Sequence, residues 1–178
     1  MLENGIRPVD VIAGEQLAAL ERLHELFQEH QIEYWLFGGW AVDFHAGGVT
    51  RAHADLDIAV WKKDQDRIAT LLTAESWIHA PEPDEDGYTG YVRDAVRLEV
   101  AFLARAETGE VFTPLREGQG RWADGAFQND VAELQGVQAR IINLSALKAE
   151  KSESRADPVV ATKDRLDSEV LSRLESGA

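Results

Sequence analysis

The feature that most restricts the fold is an alternation of apolar and polar side chains between His53 and Trp61. The apolar members fall on one face of an extended segment: Leu56, Ile58 and Val60. Asp55 and Asp57 fall on the opposite face with Ala59, because successive side chains of a β-strand point to opposite sides. Residues 53–61 are therefore predicted to form a half-buried strand with two carboxylates on its open side.

Hydrophobic spacing and turn residues divide the rest of the chain into short elements of both kinds. Helices are predicted at 14–30, 40–44, 64–75, 146–154 and 158–174. Strands are predicted at 34–37, 88–93, 96–103 and 137–142, with a polar loop at 81–87 and a long glycine-rich connection at 105–130. This order predicts an α+β fold, in which a small mixed sheet has helices behind it and a helical C-terminal portion.

Three features on these elements carry chemical groups that suit phosphoryl-type transfer. Gly38 and Gly39 precede a short helix, so their bare backbone N–H groups and the positive helix end suit a triphosphate. Asp55 and Asp57 lie roughly 6–7 Å apart along their strand, close enough for both to reach one divalent metal. Glu99 adds a third carboxylate on a strand that could pair beside the first. Each feature alone is commoner as a turn or a solvated surface, and it is their combination that points to chemistry.

Composition excludes several classes of protein. Without cysteine the chain has no disulfide, no thiolate zinc site and no cysteine nucleophile. The net charge of −14 disfavours nucleic-acid binding and favours cationic ligands, although acidity also simply keeps a protein soluble. No apolar run approaches the roughly 20 residues of a membrane helix, and the first residues lack a signal-peptide pattern. We therefore expect no membrane association and a cytoplasmic location.

The order and spacing of these features resemble a known family. The segments are YWLFGGWAVD at 34–43 and TRAHADLDI at 50–58. They resemble the signature of the minimal nucleotidyltransferases of antibiotic resistance, especially the aminoglycoside-2''-adenylyltransferases and the lincosamide nucleotidyltransferases. The resemblance is strong over 34–61 and thins beyond it, where LEV at 98–100, FQND at 127–130, Leu147-Lys148 and KDRLD at 163–167 look like later family motifs. Glu99 stands where the family more often has Asp.

The resemblance implies a nucleotidyltransferase fold. The order of the elements and the aligned acid faces predict a core at 1–105, with C-terminal helices that close one side of a cleft. Residues 106–178 would form a substrate-binding, helical portion packed on this core, either as a separate part or within one domain. The resemblance also implies transfer of AMP from ATP, or of another nucleoside monophosphate from its triphosphate, to a hydroxyl group of a small molecule, an aminoglycoside or lincosamide antibiotic, with release of pyrophosphate. Gly38 and Gly39 would hold the β- and γ-phosphates, and Asp55 and Asp57 would bind two Mg²⁺ ions. Glu99 would share one ion and act as the base. Candidates for binding phosphate charge are Arg51, Lys148 and Lys163.

Some alternatives stay open at this stage. A toxin-type nucleotidyltransferase that modifies a protein or RNA would need the same acids, and the net charge argues against RNA. A non-catalytic nucleotide-binding protein would not need all three carboxylates. For the acceptor, the acidic charge and the 82–86 run favour a polycationic aminoglycoside, whereas the 127–130 motif favours a lincosamide. Trp122 could line the acceptor pocket or pack against the core.

Overall fold

The structure, a computed structural model, describes residues 9–81, 87–153 and 156–175. The acidic run at 82–86 lies outside the described residues. The helices are α1 Val9–Glu29, α2 Gly38–Ala46, α3 Gln65–Ala74, α4 Leu144–Lys151 and α5 Pro158–Glu175. The strands are β1 Tyr34–Phe37, β2 Leu56–Trp61, β3 Ile78–His79, β4 Tyr88–Arg93, β5 Val96–Arg105, β6 Val111–Pro114, β7 Gln119–Arg121, β8 Val131–Leu134 and β9 Val137–Arg140.

The main sheet is mixed, which confirms the predicted α+β class. Its central pair, β2 and β5, is parallel, while β1 and β4 pair antiparallel on either side and β3 extends the β4 edge. Strands β6 and β7 continue from β5, so the sheet runs past residue 105, where the sequence predicts the core to end. Strands β8 and β9 form a separate hairpin, and the backbone N–H of Ile142, just after β9, donates to the carbonyl of Leu36 in β1.

One face of the sheet is apolar and packs on helix α1. Ile58 and Val100 are paired across the central strands and fully buried. The apolar stripe of α1 follows helical spacing, and its members are buried: Leu17, Leu20, Leu23 and Phe27. This packing gives the sheet one covered face, as the alternation in 53–61 predicts, and leaves the carboxylates on the other.

The opposite face is less open than the alternation predicts. Ala59 and Ala101 lie on the same face as Asp57 and Glu99, and both alanines are fully buried. The aromatic segment at 122–128 helps to cover this face, since the Trp35 ring meets the Phe127 ring at a 5.0 Å centroid distance and donates to the carbonyl of Gln128. Asp57 and Glu99, towards one end of this face, remain half-buried rather than covered.

The segment predicted as one long connection at 105–130 contains strands β6 and β7, and β8 begins directly after it. These strands are three or four residues long, which is too short for alternation to be recognised in sequence. At the C-terminal end, α4 and α5 pack against each other and against α2. Within the described ranges, none of the helices combines the length and apolar character that a membrane crossing requires.

Candidate active site

Strand pairing brings the three predicted carboxylates together. In the sheet register Phe37 pairs with Asp57, and Asp57 pairs with Glu99, so their side chains share one face. Asp55 lies two residues before Asp57, just ahead of β2. One oxygen from each carboxylate of Asp55, Asp57 and Glu99 can be chosen so that all three lie within 4.8 Å of one another. We call the depression around these acids the carboxylate cleft; it also includes Gly38, Gly39, Arg51, Glu150, Lys151 and Lys163.

Burial and mutual repulsion raise the pKa values of two carboxylates in the cleft. Burial, and then the charges of Asp55 and Glu99, raise the pKa of Asp57 well above its ordinary value. The pKa of Glu99 is also raised, by burial first and the charge of Asp55 second, although Arg97 opposes this with a 3.3 Å contact to the Glu99 carboxylate. Such a cluster gains stability from a bound cation, because the cation replaces mutual repulsion with attraction.

Gly38 and Gly39 are the first residues of helix α2, whereas the sequence predicts them as a turn ahead of the helix. Gly38 has a left-handed φ of +66°, and a Cβ there would collide with the Asp57 carboxylate. A Cβ on Gly39 would lie 2.5 Å from both Arg51 Nη2 and His53 Nδ1. Glycine at both positions therefore lets the amino end of α2 approach the acids and bases of the cleft directly.

A buried hydrogen-bond network fixes the loop between α2 and β2. The Asp43 carboxylate is fully buried and accepts hydrogen bonds from the backbone N–H of Thr50 at 3.1 Å and its hydroxyl at 2.5 Å. His53 Nε2 lies 2.6 Å from the other Asp43 oxygen, and the His53 ring packs on Trp40 with centroids 4.7 Å apart. Asp43 therefore fixes the positions of Thr50 and His53, and with them the loop that places Arg51 and Asp55 at the cleft.

A second network of ion pairs joins this loop to the C-terminal helices. Arg51 donates from Nε and Nη2 to the two oxygens of Asp167 on α5, both at 2.8 Å. Lys151 on α4 reaches Asp167 at 3.1 Å and Asp164 at 3.0 Å. Burial alone would raise the pKa of Asp167, but the Arg51 hydrogen bonds and the Lys151 charge hold that pKa below its ordinary value.

The predicted phosphate-binding residues do not all reach the cleft. Arg51 and Lys163 line it. Lys148 instead lines a separate depression with Ser152, Ser168, Leu171 and Ser172, so its predicted contact with phosphate gains no support from its position. Lys151, rather than Lys148, is the α4 lysine that lines the cleft, and the sequence analysis did not predict it.

The sequence does contain a signal for Lys151. Leu144, Leu147 and Lys151 follow helical spacing, and Leu147 and Lys151 are both buried. A lysine in the apolar stripe of a helix needs buried acidic partners, and the KDRLD motif at 163–167 supplies them.

The family model for aminoglycoside-2''-adenylyltransferase matches residues 19–171, and no curated protein matches the chain. The solved structure of the lincosamide antibiotic adenylyltransferase LnuA, bound to lincomycin, is 18% identical with a TM-score of 0.70, over 88% of this chain and 96% of that one. The structure of ANT(2'')-Ia in complex with adenylyl-2''-tobramycin is 16% identical with a TM-score of 0.65, over 92% and 96%. These structures share the nucleotidyltransferase fold, and because the family model covers most of the chain, the protein is a nucleotidyltransferase that belongs to the aminoglycoside-2''-adenylyltransferase family.

Proposed function

We propose that the protein transfers AMP from ATP to a hydroxyl group of a small amine-bearing molecule and releases pyrophosphate. The observation that carries the proposal is the convergence of three carboxylates, Asp55, Asp57 and Glu99, within 4.8 Å beside the amino end of α2. Hard oxygen donors next to a phosphate-binding helix end are what this reaction requires.

The donor set fits magnesium. Three carboxylates converge, and the pKa values of Asp57 and Glu99 are raised by burial first and by repulsion from neighbouring carboxylates second, which a divalent cation would relieve. Asp55 and Asp57 are the residues proposed to hold two Mg²⁺ ions, with Glu99 sharing one of them. When bound, magnesium would neutralise charge at the α-phosphate and lower the pKa of the acceptor hydroxyl.

The chain's own residues bind the triphosphate and move one proton. Backbone N–H groups of Gly38 and Gly39 donate to the β- and γ-phosphates, and Arg51 and Lys163 add positive charge. Glu99 accepts the proton of the acceptor hydroxyl as its oxygen forms a bond to the α-phosphorus. The bond from the α-phosphorus to the bridging oxygen breaks, and that oxygen leaves with pyrophosphate.

The family and the two structural relatives support an antibiotic as the acceptor. Lincomycin and adenylyl-2''-tobramycin are the ligands named for the relatives, and we propose that this protein modifies an aminoglycoside or a lincosamide of that kind. A toxin-type enzyme acting on a protein is the second candidate, because the three acids alone do not specify a small acceptor. The net charge of −14 disfavours an RNA acceptor.

A pyrophosphate-release assay with ATP and Mg²⁺ tests the proposal. We expect turnover with one of the two antibiotic classes and transfer of an adenylyl group detected by mass spectrometry. Asp57→Asn should abolish turnover, while Asp66→Asn, which removes the same charge from an exposed position on α3, should not. Turnover on a protein instead, or none with any acceptor, would contradict the proposed acceptor class or the enzyme assignment respectively.

A further inference from the structure

A second depression adjoins the carboxylate cleft and shares Phe37 and Glu150 with it. We call it the aromatic recess. Its other lining side chains of interest are Tyr88, Trp122, Ala149 and Glu153. Phe37 is the register neighbour of Asp57, so the recess begins one strand away from the carboxylates. A molecule seated there would present its nearest group to the cleft.

The wall of the recess is aromatic and held in position. The Trp122 ring meets Phe37 edge to face, with centroids 5.2 Å apart and an interplanar angle of 83°. Trp122 also packs on Phe127 at 5.2 Å, and its Nε1 donates to the Thr113 hydroxyl at 2.9 Å. Because the indole N–H is already bonded within the protein, what the ring offers to a ligand is its apolar surface.

The acidic groups of the recess lie at one end. Glu150 lies in the last turn of α4 and Glu153 lies two residues past its end, where the helix dipole is negative. Lys151 lies 3.6 Å from Glu150 and offsets part of its charge. Arg121, which also lines the recess, is ion-paired with Glu110. The recess therefore combines one localised negative end with an apolar wall.

We propose that the aromatic recess selects an acceptor with a single ammonium group and an apolar ring face, rather than a polycation. This inference rests on the proposed function and names its substrate class. An ammonium group would be attracted by the negative charges of Glu150 and Glu153. An apolar ring face would be buried against Phe37 and Trp122 and so be removed from water. A polycation would place additional ammonium groups beside the aromatic side chains. These groups would lose hydration there without gaining an acidic partner, which costs free energy. Lincomycin has the required chemistry and tobramycin does not, which reverses the preference that net charge alone predicts.

Isothermal titration of the full chain with each antibiotic, without ATP or Mg²⁺, tests this selection apart from turnover. At an ionic strength of roughly 0.15 M, we expect lincomycin to bind at least about tenfold more tightly than tobramycin. Trp122→Ala should weaken lincomycin binding by about tenfold, and Trp122→Phe should restore most of it, because a phenyl ring keeps the apolar face. Glu153→Gln should weaken binding about threefold to tenfold, and Glu107→Gln, an exposed acid outside the recess, should have no effect.

A further variant tests the recess even if Trp122→Ala fails to fold. Ala149 is exposed on α4 and lines the recess, so Ala149→Met fills it without removing a core contact and should block lincomycin. Tighter binding of tobramycin, or lincomycin binding that is unchanged in both Trp122→Ala and Ala149→Met, would overturn the inference. Selective lincomycin binding without pyrophosphate release when ATP and Mg²⁺ are added would uphold the recess and contradict the proposed reaction instead.

Discussion

Replacing Asp167 by asparagine removes the charge at the centre of the network that ties α4 and α5 to the loop before β2. The Asp167 side chain is only 1% exposed. It accepts two hydrogen bonds from Arg51 and forms an ion pair with Lys151. Arg51 and Lys151 are themselves 17% and 6% exposed, so water replaces the lost carboxylate only in part. Lys151 keeps Asp164, whereas Arg51 loses its bidentate partner.

The expected cost follows from this burial. Removing one partner of a buried ion pair typically costs about 3–5 kcal/mol, and the remaining Asp164 contact places this variant near the lower limit, at about 3 kcal/mol. An unfolding entropy of about 2.1 cal/mol/K per residue over 178 residues converts this loss into a fall in Tm of about 8 °C.

Urea denaturation and thermal melting of the wild type and Asp167→Asn measure this effect. Glu169→Gln, which removes an exposed acid from the same helix, is the control and should change the unfolding free energy by less than about 0.5 kcal/mol. Because the pKa of Asp167 is lowered in the folded state, its stabilisation should be complete at neutral pH and be lost as the pH falls below about 4. A loss below about 1 kcal/mol at pH 7, or a difference that grows on acidification, would refute the reasoning.

Three further predictions concern the cleft itself. Asp57→Asn should abolish pyrophosphate release yet melt no lower than the wild type without metal, because it removes charge from a repelling cluster; a lower Tm would contradict this. Glu99→Gln should reduce kcat by about 10²–10⁴-fold while ATP affinity in a titration changes little, and an unchanged kcat would remove Glu99 as the base. Gly39→Ala should lower the free energy of unfolding by about 1–3 kcal/mol, because its Cβ would crowd Arg51 Nη2 at 2.5 Å. Gly48→Ala, with open space around it, should change that free energy by less than about 1 kcal/mol, and equal effects of the two substitutions would contradict the crowding.

Local patterns in the sequence determine the elements on which the cleft is built. Alternation predicts that Asp55 and Asp57 share one strand face, because the side chains of a strand alternate with a period of two. Asp57 lies on that face of β2, whereas β2 begins only at Leu56 and Asp55 lies just ahead of it, so the predicted strand at 53–61 is too long at its start. Helical spacing likewise identifies α1 and the side that it buries. The paired glycines at the start of α2 are also visible, although their exact position in the first turn is not, since the boundary depends on cap geometry.

The tertiary structure alone decided which distant residues meet. Glu99 joins Asp57 because β2 and β5 pair in parallel in one register, and a shift of one residue would turn Glu99 to the apolar face. Arg51 and Asp167 are 116 residues apart in sequence, and no local period relates them. The aromatic recess depends on strands too short to show alternation. Local periodicity predicts which face of an element is buried. Which other element covers that face depends on packing between segments far apart in the chain.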